Sequence, residues 1–222
     1  MLGIYSFIFT TVFKARWSGT SDSKVEFSLL MFIGLIVHAY FADCVSKAPS
    51  LVLINANYVK KVVFPLDVLA WIGAGTALFH FGVSILIWLL MYVVAFGVPH
   101  ATLFLLPLGF IPLVLAVVGL CWFLSSLGVY LRDVSQIIGV FVTAVMFLSP
   151  IFYPVTALPE PFRALLYCNP LTWTIEFLRD IMYWGRQPNW LVWFGSFVMS
   201  TGLAWAGFAW FQKTRKGFSD VI

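Results

Sequence analysis

From residue 68 to residue 131 this chain carries no Lys, Arg, Asp or Glu. A run of that length cannot be wetted at the surface of a soluble domain, and in lipid every backbone polar group must find its partner within the protein. The rest of the chain points the same way. Of its 222 residues, 62% are apolar and 10% charged, against about 25% charged in an ordinary soluble domain. The remaining apolar surface needs lipid as its solvent, so a single soluble domain is excluded.

Five stretches, 27–45, 68–96, 103–127, 134–153 and 190–211, reach the roughly 20 residues that a helix needs to cross a bilayer. An earlier apolar stretch, about 2–16, is short for a ~30 Å hydrocarbon core. It has neither the basic start nor the small-residue cleavage site of a secretory signal. The expectation is an all-α integral membrane protein of six transmembrane helices, the first truncated at its N-terminus, with both chain ends on one side. If the C-terminus is cytoplasmic, the inside holds Lys47, Lys60, Lys61, Arg132, Lys213, Arg215 and Lys216. The outside then holds Lys14, Arg16, Lys24, Arg163, Arg179 and Arg186. The totals nearly balance, but Lys60-Lys61 and the Lys213, Arg215, Lys216 group cluster beside span ends, which favours a cytoplasmic C-terminus.

Residues 154–189 break the pattern. Pro154, Pro159, Pro161, Pro170 and Pro188 punctuate a segment still rich in Phe, Leu, Trp and Tyr. Residues 161–168 and 170–184 read as two short helices, the second opening with Asn169 as its cap and Pro170 at its first position. At 1.5 Å per residue the longer one reaches about 22 Å, short of a crossing. A re-entrant hairpin and a loop lying on the outer surface both fit. Glu176 and Asp180 share one face of the second helix, with Arg179 beside Asp180; a wetted vestibule and the exposed side of a surface helix both account for them.

No phosphate-binding G-x-x-x-x-G-K-[ST] loop is present, and no His, Cys or Glu cluster has metal-ligand spacing. His38, His80 and His100 are scattered, and Cys44, Cys121 and Cys168 read as packing residues. Catalysis by this chain, a resident metal and a bound cofactor are therefore not expected. Asp43, Asp67, Arg132, Asp133 and Asp220 mark span boundaries. The loop 46–67 contains NANYVKKVVFP at 55–65, two lysines among apolar residues. Docking into a groove on a partner protein and lying on anionic lipid are both open to it. Aromatic residues make up 18% of the chain. Trp17, Trp184, Trp190 and Trp193 sit where interfacial belts belong, whereas Trp71, Trp88, Trp122 and Trp205 fall within spans.

Four stretches carry a resemblance: YSFIFTTVF at 5–13, NANYVKKVVFP at 55–65, LRD at 131–133, and 149–180 with SPIFYP, LPEPF, YCNPLTW and FLRD. LRD alone is weak; the lysine-containing loop and the SPIFYP, NPL, RD order are specific. Together they resemble the permease subunit of ABC type-2 polysaccharide exporters, the group that moves O-antigen and related lipid-linked glycans. The resemblance implies a single transmembrane domain over 1–222, working as a homodimer above two copies of an ABC ATPase. ATP and Mg would belong to those partners, with no nucleic acid involved. It implies a coupling loop through Asn55, Lys60, Lys61, Phe64 and Pro65, and a cytoplasmic turn at Arg132 and Asp133. An outer gate at 154–189 would be built with Pro150, Tyr153, Pro154, Asn169, Pro170, Glu176, Arg179 and Asp180. The cargo implied is a polyprenyl-linked polysaccharide crossing the bacterial inner membrane. Two departures stand out. Leu66 follows the Phe-Pro pair where the family often has Arg, and the amphipathic interfacial helix that usually precedes the first span is missing. A sibling permease for teichoic acid, capsule, drugs or haem, and a non-pumping membrane component of glycan assembly, are the alternatives.

Overall fold

The computed structural model describes residues 24–56, 65–131, 133–157 and 159–221. The predicted first span, Lys60, Lys61, Phe64 and Arg132 lie outside them. Among the described residues every regular element is helical. Helix α1 (Lys24–Lys47) runs through a tight turn at Ala48–Ser50 into α2 (Leu51–Ile54). There follow α3 (Val68–Phe96), α4 (Leu106–Tyr130), α5 (Val134–Leu148), α6 (Glu160–Tyr167), α7 (Pro170–Arg179), α8 (Trp190–Thr214) and a last turn, α9 (Phe218–Val221). Four helical stretches are long and apolar enough to cross a bilayer: Val25–Ile54, Val68–Phe96, Ala101–Tyr130 and Trp190–Gly217.

Helix α1 is the axis. Leu29, Leu30, Met31, Ile33 and Val37 are fully buried, and α3, α4, α5 and α7 all pack on it, as expected of a helix that is apolar on every side. Its one imidazole is satisfied in place, His38 Nε2 lying 3.2 Å from the Val142 carbonyl. Trp88 of α3 is fully buried and donates its indole N–H to the Leu29 carbonyl at 2.9 Å.

Helix α4 meets its neighbours through glycines, one at each level. A Cβ on Gly207 of α8 would lie 2.1 Å from the Gly119 carbonyl oxygen, so these helices touch backbone to backbone. This is the close approach that small residues permit between helices in lipid. At one end Phe177 of α7 lies over Gly109, and at the other Pro49 lies over Gly128. At 1.5 Å per residue, Gly109 and Gly128 stand about 28 Å apart along the axis, close to the ~30 Å hydrocarbon core. The helix pair α6–α7 and the flanks of residues 57–64 therefore occupy opposite ends of the bundle.

Several boundaries differ from expectation. The predicted span 134–153 is helical only to Leu148, because Pro150 drives Ser149 out of the helical region, to φ −101° and ψ 149°. Fifteen residues reach about 22 Å, less than a full crossing. The loop expected at 46–67 begins only after Ile54, since Pro49 enters at the first turn of its tight helix, where a missing N–H costs nothing. The spans expected at 27–45 and 190–211 are longer in the structure, as α1 and α8, and that expected at 103–127 is shifted three residues onward as α4. Trp122, within α4, donates its indole N–H to the Asp67 carbonyl at 2.9 Å and so ties α4 to the residue before α3.

Candidate functional site

The chain turns at Ile151 and Tyr153 after α5. Tyr153 donates its hydroxyl back to the Phe147 carbonyl at 3.0 Å, and Pro154 accepts from Ala157 N–H. Pro150 is buried. Helices α6 and α7 then pack on one another; α6 ends one residue short of the expected 168, and α7 ends at Arg179, with a separate turn filling the rest of the expected 170–184. Asn169 caps α7 as predicted, its Oδ1 accepting from Leu171 N–H at 3.0 Å. Its Nδ2 also donates to Ser149 Oγ at 2.8 Å, so one side chain starts the second helix and ties it to the end of α5. Pro170 occupies the first helical position.

Arg179 is neither on an exposed face nor in open water. Its side chain is 2% exposed. It donates Nε to the Leu30 carbonyl of α1 at 3.3 Å and Nη2 to the Ile151 carbonyl at 3.1 Å. Nη1 holds Glu176 Oε1 at 3.0 Å. The planar guanidinium supplies several donors in a fixed fork, here shared among the central helix, the turn after α5 and α7. Gly34 leaves it room, since a Cβ there would meet Arg179 Nη2 at 3.4 Å. Nothing in the sequence separated this pinning residue from its exposed neighbours.

Beyond Arg179 the helix widens into a π-helical turn, Asp180–Trp184. It ends at Gly185 with φ +63°, against the His100 ring, and Thr102 donates to the Ile181 carbonyl at 2.6 Å. Asp180 is half-buried. Burial, then the Glu176 carboxylate nearby, pushes its pKa upward, opposed by Arg186. Two cavities flank this carboxylate pair. One, of 420 Å³, lies among α7 and the starts of α4 and α8; the other, of 300 Å³, is lined by Arg163, Arg179 and Arg186.

At the opposite end Asn55 caps its own turn, Nδ2 donating to the Leu51 carbonyl at 2.8 Å. Pro65 is exposed and accepts from Val68 N–H. Asp67 pairs with Arg215 at 3.8 Å, and Tyr130 donates to the Thr214 carbonyl at 2.9 Å. These bonds tie the flank of residues 57–64 to the ends of α4 and α8. Asp133 is exposed at the start of α5.

The structure thus separates the site residues into two groups, Asn55 and Pro65 at one end, and Pro150 through Asp180 at the other. Among the described residues no group of His, Cys, Asp or Glu is arranged to hold a metal.

Residues 1–183 match the family described as ABC-2 type transporter. The chain is also similar to the O-antigen export system permease protein RfbA of Myxococcus xanthus, 24% identical over 221 residues, 99% of this chain and 82% of that protein. Two proteins of the same description from Klebsiella pneumoniae are 23% and 24% identical over 223 residues, with the same coverage.

Proposed function

This chain belongs to the ABC-2 type transporter family, as the multi-pass membrane permease of an ABC exporter, and from that premise we propose that it moves a lipid-linked, O-antigen-like polysaccharide across the bacterial inner membrane. The observation that carries the cargo assignment is the match along 99% of the chain to O-antigen export permeases. As a permease subunit the chain is a transport component and not an enzyme.

The mechanism uses the two ends of the bundle. Two copies of the chain enclose the conduit about a twofold axis, with two ATPase subunits on the cytoplasmic side. The segment through Asn55, Lys60, Lys61, Phe64 and Pro65 seats in the ATPase, and Arg132 and Asp133 lie on the same face. Closure of the ATPase pair on ATP pushes that segment. The push passes to α4 and α8 through the bonds at Asp67, Trp122 and Thr214, which supports this route. On the outer side α6 and α7 fold back without crossing and form the gate. The glycan leaves past Tyr153, Asn169, Pro170, Glu176 and Asp180, while Arg179 holds α7 to α1. The C-terminus is cytoplasmic.

The test is movement of labelled lipid-linked glycan in vesicles carrying this chain with a candidate ATPase. ATP-dependent transfer, with ATPase activity stimulated by glycolipid and not by drugs, is expected. Stimulation by drugs alone would reassign the cargo.

A further inference from the structure

We infer that the 420 Å³ cavity among α7 and the starts of α4 and α8 is a saccharide subsite that takes an uncharged sugar ring and rejects an acidic one. The inference rests on the polysaccharide reading for the nature of the cargo; the place and the charge preference come from the cavity itself.

A volume of 420 Å³ is within the range of about 300–1,000 Å³ typical of small-ligand pockets. Tyr167, Trp173 and Trp193 line it, together with Glu176, Asp180 and Asn189. Both indole N–H groups are already spent on backbone, Trp173 on Tyr167 O at 2.8 Å and Trp193 on Leu108 O at 3.0 Å. The rings are therefore held in place and offer surface instead of donors. The electron-rich face of an aromatic ring attracts the partly positive C–H groups of one side of a sugar. Tyr167 and Trp173 stand 4.6 Å apart, tilted 32°, a fixed pair of platforms.

The polar groups supply the other half of sugar recognition. Asp180 has no hydrogen bond or ion pair from its carboxylate among the described residues, although it is half-buried. Asn189 spends Oδ1 on capping α8, which leaves its amide N–H groups without a partner among those residues. A carboxylate acceptor and an amide donor beside aromatic faces suit vicinal hydroxyls, and hydrogen bonds to a charged acceptor are the stronger kind. No Lys or Arg lines this cavity, while two carboxylates do. Arg179 and Arg186 answer Glu176 and Asp180 from outside this cavity, so a uronic acid would set its carboxylate against theirs with no cation of its own, and like-charge juxtaposition discriminates strongly. The arginines lie in the neighbouring cavity, across Glu176 and Asp180.

The test is saturation-transfer NMR on the full chain in nanodiscs at pH 7. The probes are the methyl glycosides of mannose, galactose, N-acetylglucosamine and rhamnose, with methyl glucuronide as the acidic one. Transfer to at least one neutral glycoside is expected, about tenfold weaker for methyl glucuronide. Asp180→Asn, an isosteric change, should weaken the neutral probe about tenfold, the worth of one charged hydrogen bond, and narrow its lead over the glucuronide. Trp173→Ala, checked for an unchanged melt, should also reduce transfer. Absence of transfer to every neutral glycoside, equal transfer to glucuronide, or insensitivity to both variants overturns the subsite. Glycolipid transport measured on the same preparation separates the two ideas. Transport without sugar binding sinks the subsite alone, and sugar binding at this cavity without transport upholds the subsite and sinks the transport reading.

Discussion

Replacing Arg179 tests whether one buried guanidinium fastens the gate helix to the rest of the bundle. The side chain is 2% exposed and reaches Leu30 O, Ile151 O and Glu176. Leu30 O lies inside α1 and keeps its helical partner, so its loss is small. Ile151 O lies in a turn, and losing its donor costs about 1–3 kcal/mol. Glu176 is 42% exposed, so solvent screens that pair to about 0–1 kcal/mol. Truncation also opens the space that the buried stem fills. Adding the unmet Ile151 carbonyl to the lost packing of the stem, Arg179→Ala is expected to cost about 3–5 kcal/mol. At about 2–4 °C per kcal/mol for a chain of this size, the melt should fall by about 6–20 °C. Arg179→Met keeps the stem and removes the fork, so it isolates the turn's hydrogen bond at about 1–3 kcal/mol. Glu176→Gln should cost less than about 1 kcal/mol. Thermal unfolding in detergent, followed by circular dichroism, reads all three. A melt for Arg179→Ala within about 2 °C of wild type, equivalent to about 1 kcal/mol or less, or a Glu176→Gln loss as large as that of Arg179→Ala, would refute the pin.

Gly207→Val places a side chain against the Gly119 carbonyl and should cost about 1–3 kcal/mol or more. Gly202→Ala, with nothing within 4 Å, should be neutral or stabilising in the same melting assay. The folded-state pKa of Asp180 is raised, so this carboxyl favours the fold below its ordinary value of 3.8 and loses that contribution as pH rises above it. Asp180→Asn should therefore melt higher than wild type at pH 7, and the share of wild-type gain on acidification due to this group should vanish. Lys60→Cys or Phe64→Cys should crosslink to a cysteine-bearing ATPase groove; absence of a crosslink in every nucleotide state would remove the coupling role of the loop.

Four of the spans were legible because an uncharged apolar run has few structural solutions. The cap at Asn169 was legible because Asn followed by Pro has a local meaning that packing seldom overrides. Helix ends set by competition were harder to place. Pro49 was tolerated at a first turn, whereas Pro150 stopped α5 two residues ahead of itself, at Leu148. Charged residues on α7 look alike in sequence, yet Glu176 is partly open and Arg179 is buried. That difference depends on carbonyls contributed from residues 30 and 151, far away in the chain. The Gly119–Gly207 contact was invisible for the same reason: closeness between helices is a tertiary fact, while each glycine alone is only a weak helix former. The 420 Å³ cavity beside Asp180 likewise gathers residues from four helices.

Docking and gating both presuppose that the loop before Asp67 and the helix pair after Pro154 face opposite compartments. Lys60→Cys and Arg186→Cys, each made with Cys168→Ser because Cys168 is exposed while Cys44 and Cys121 are buried, can be probed with a membrane-impermeant maleimide. Position 186 should label in intact spheroplasts, and position 60 only in inverted vesicles. Labelling of both positions from the same side would contradict an exporter driven at one end and opened at the other.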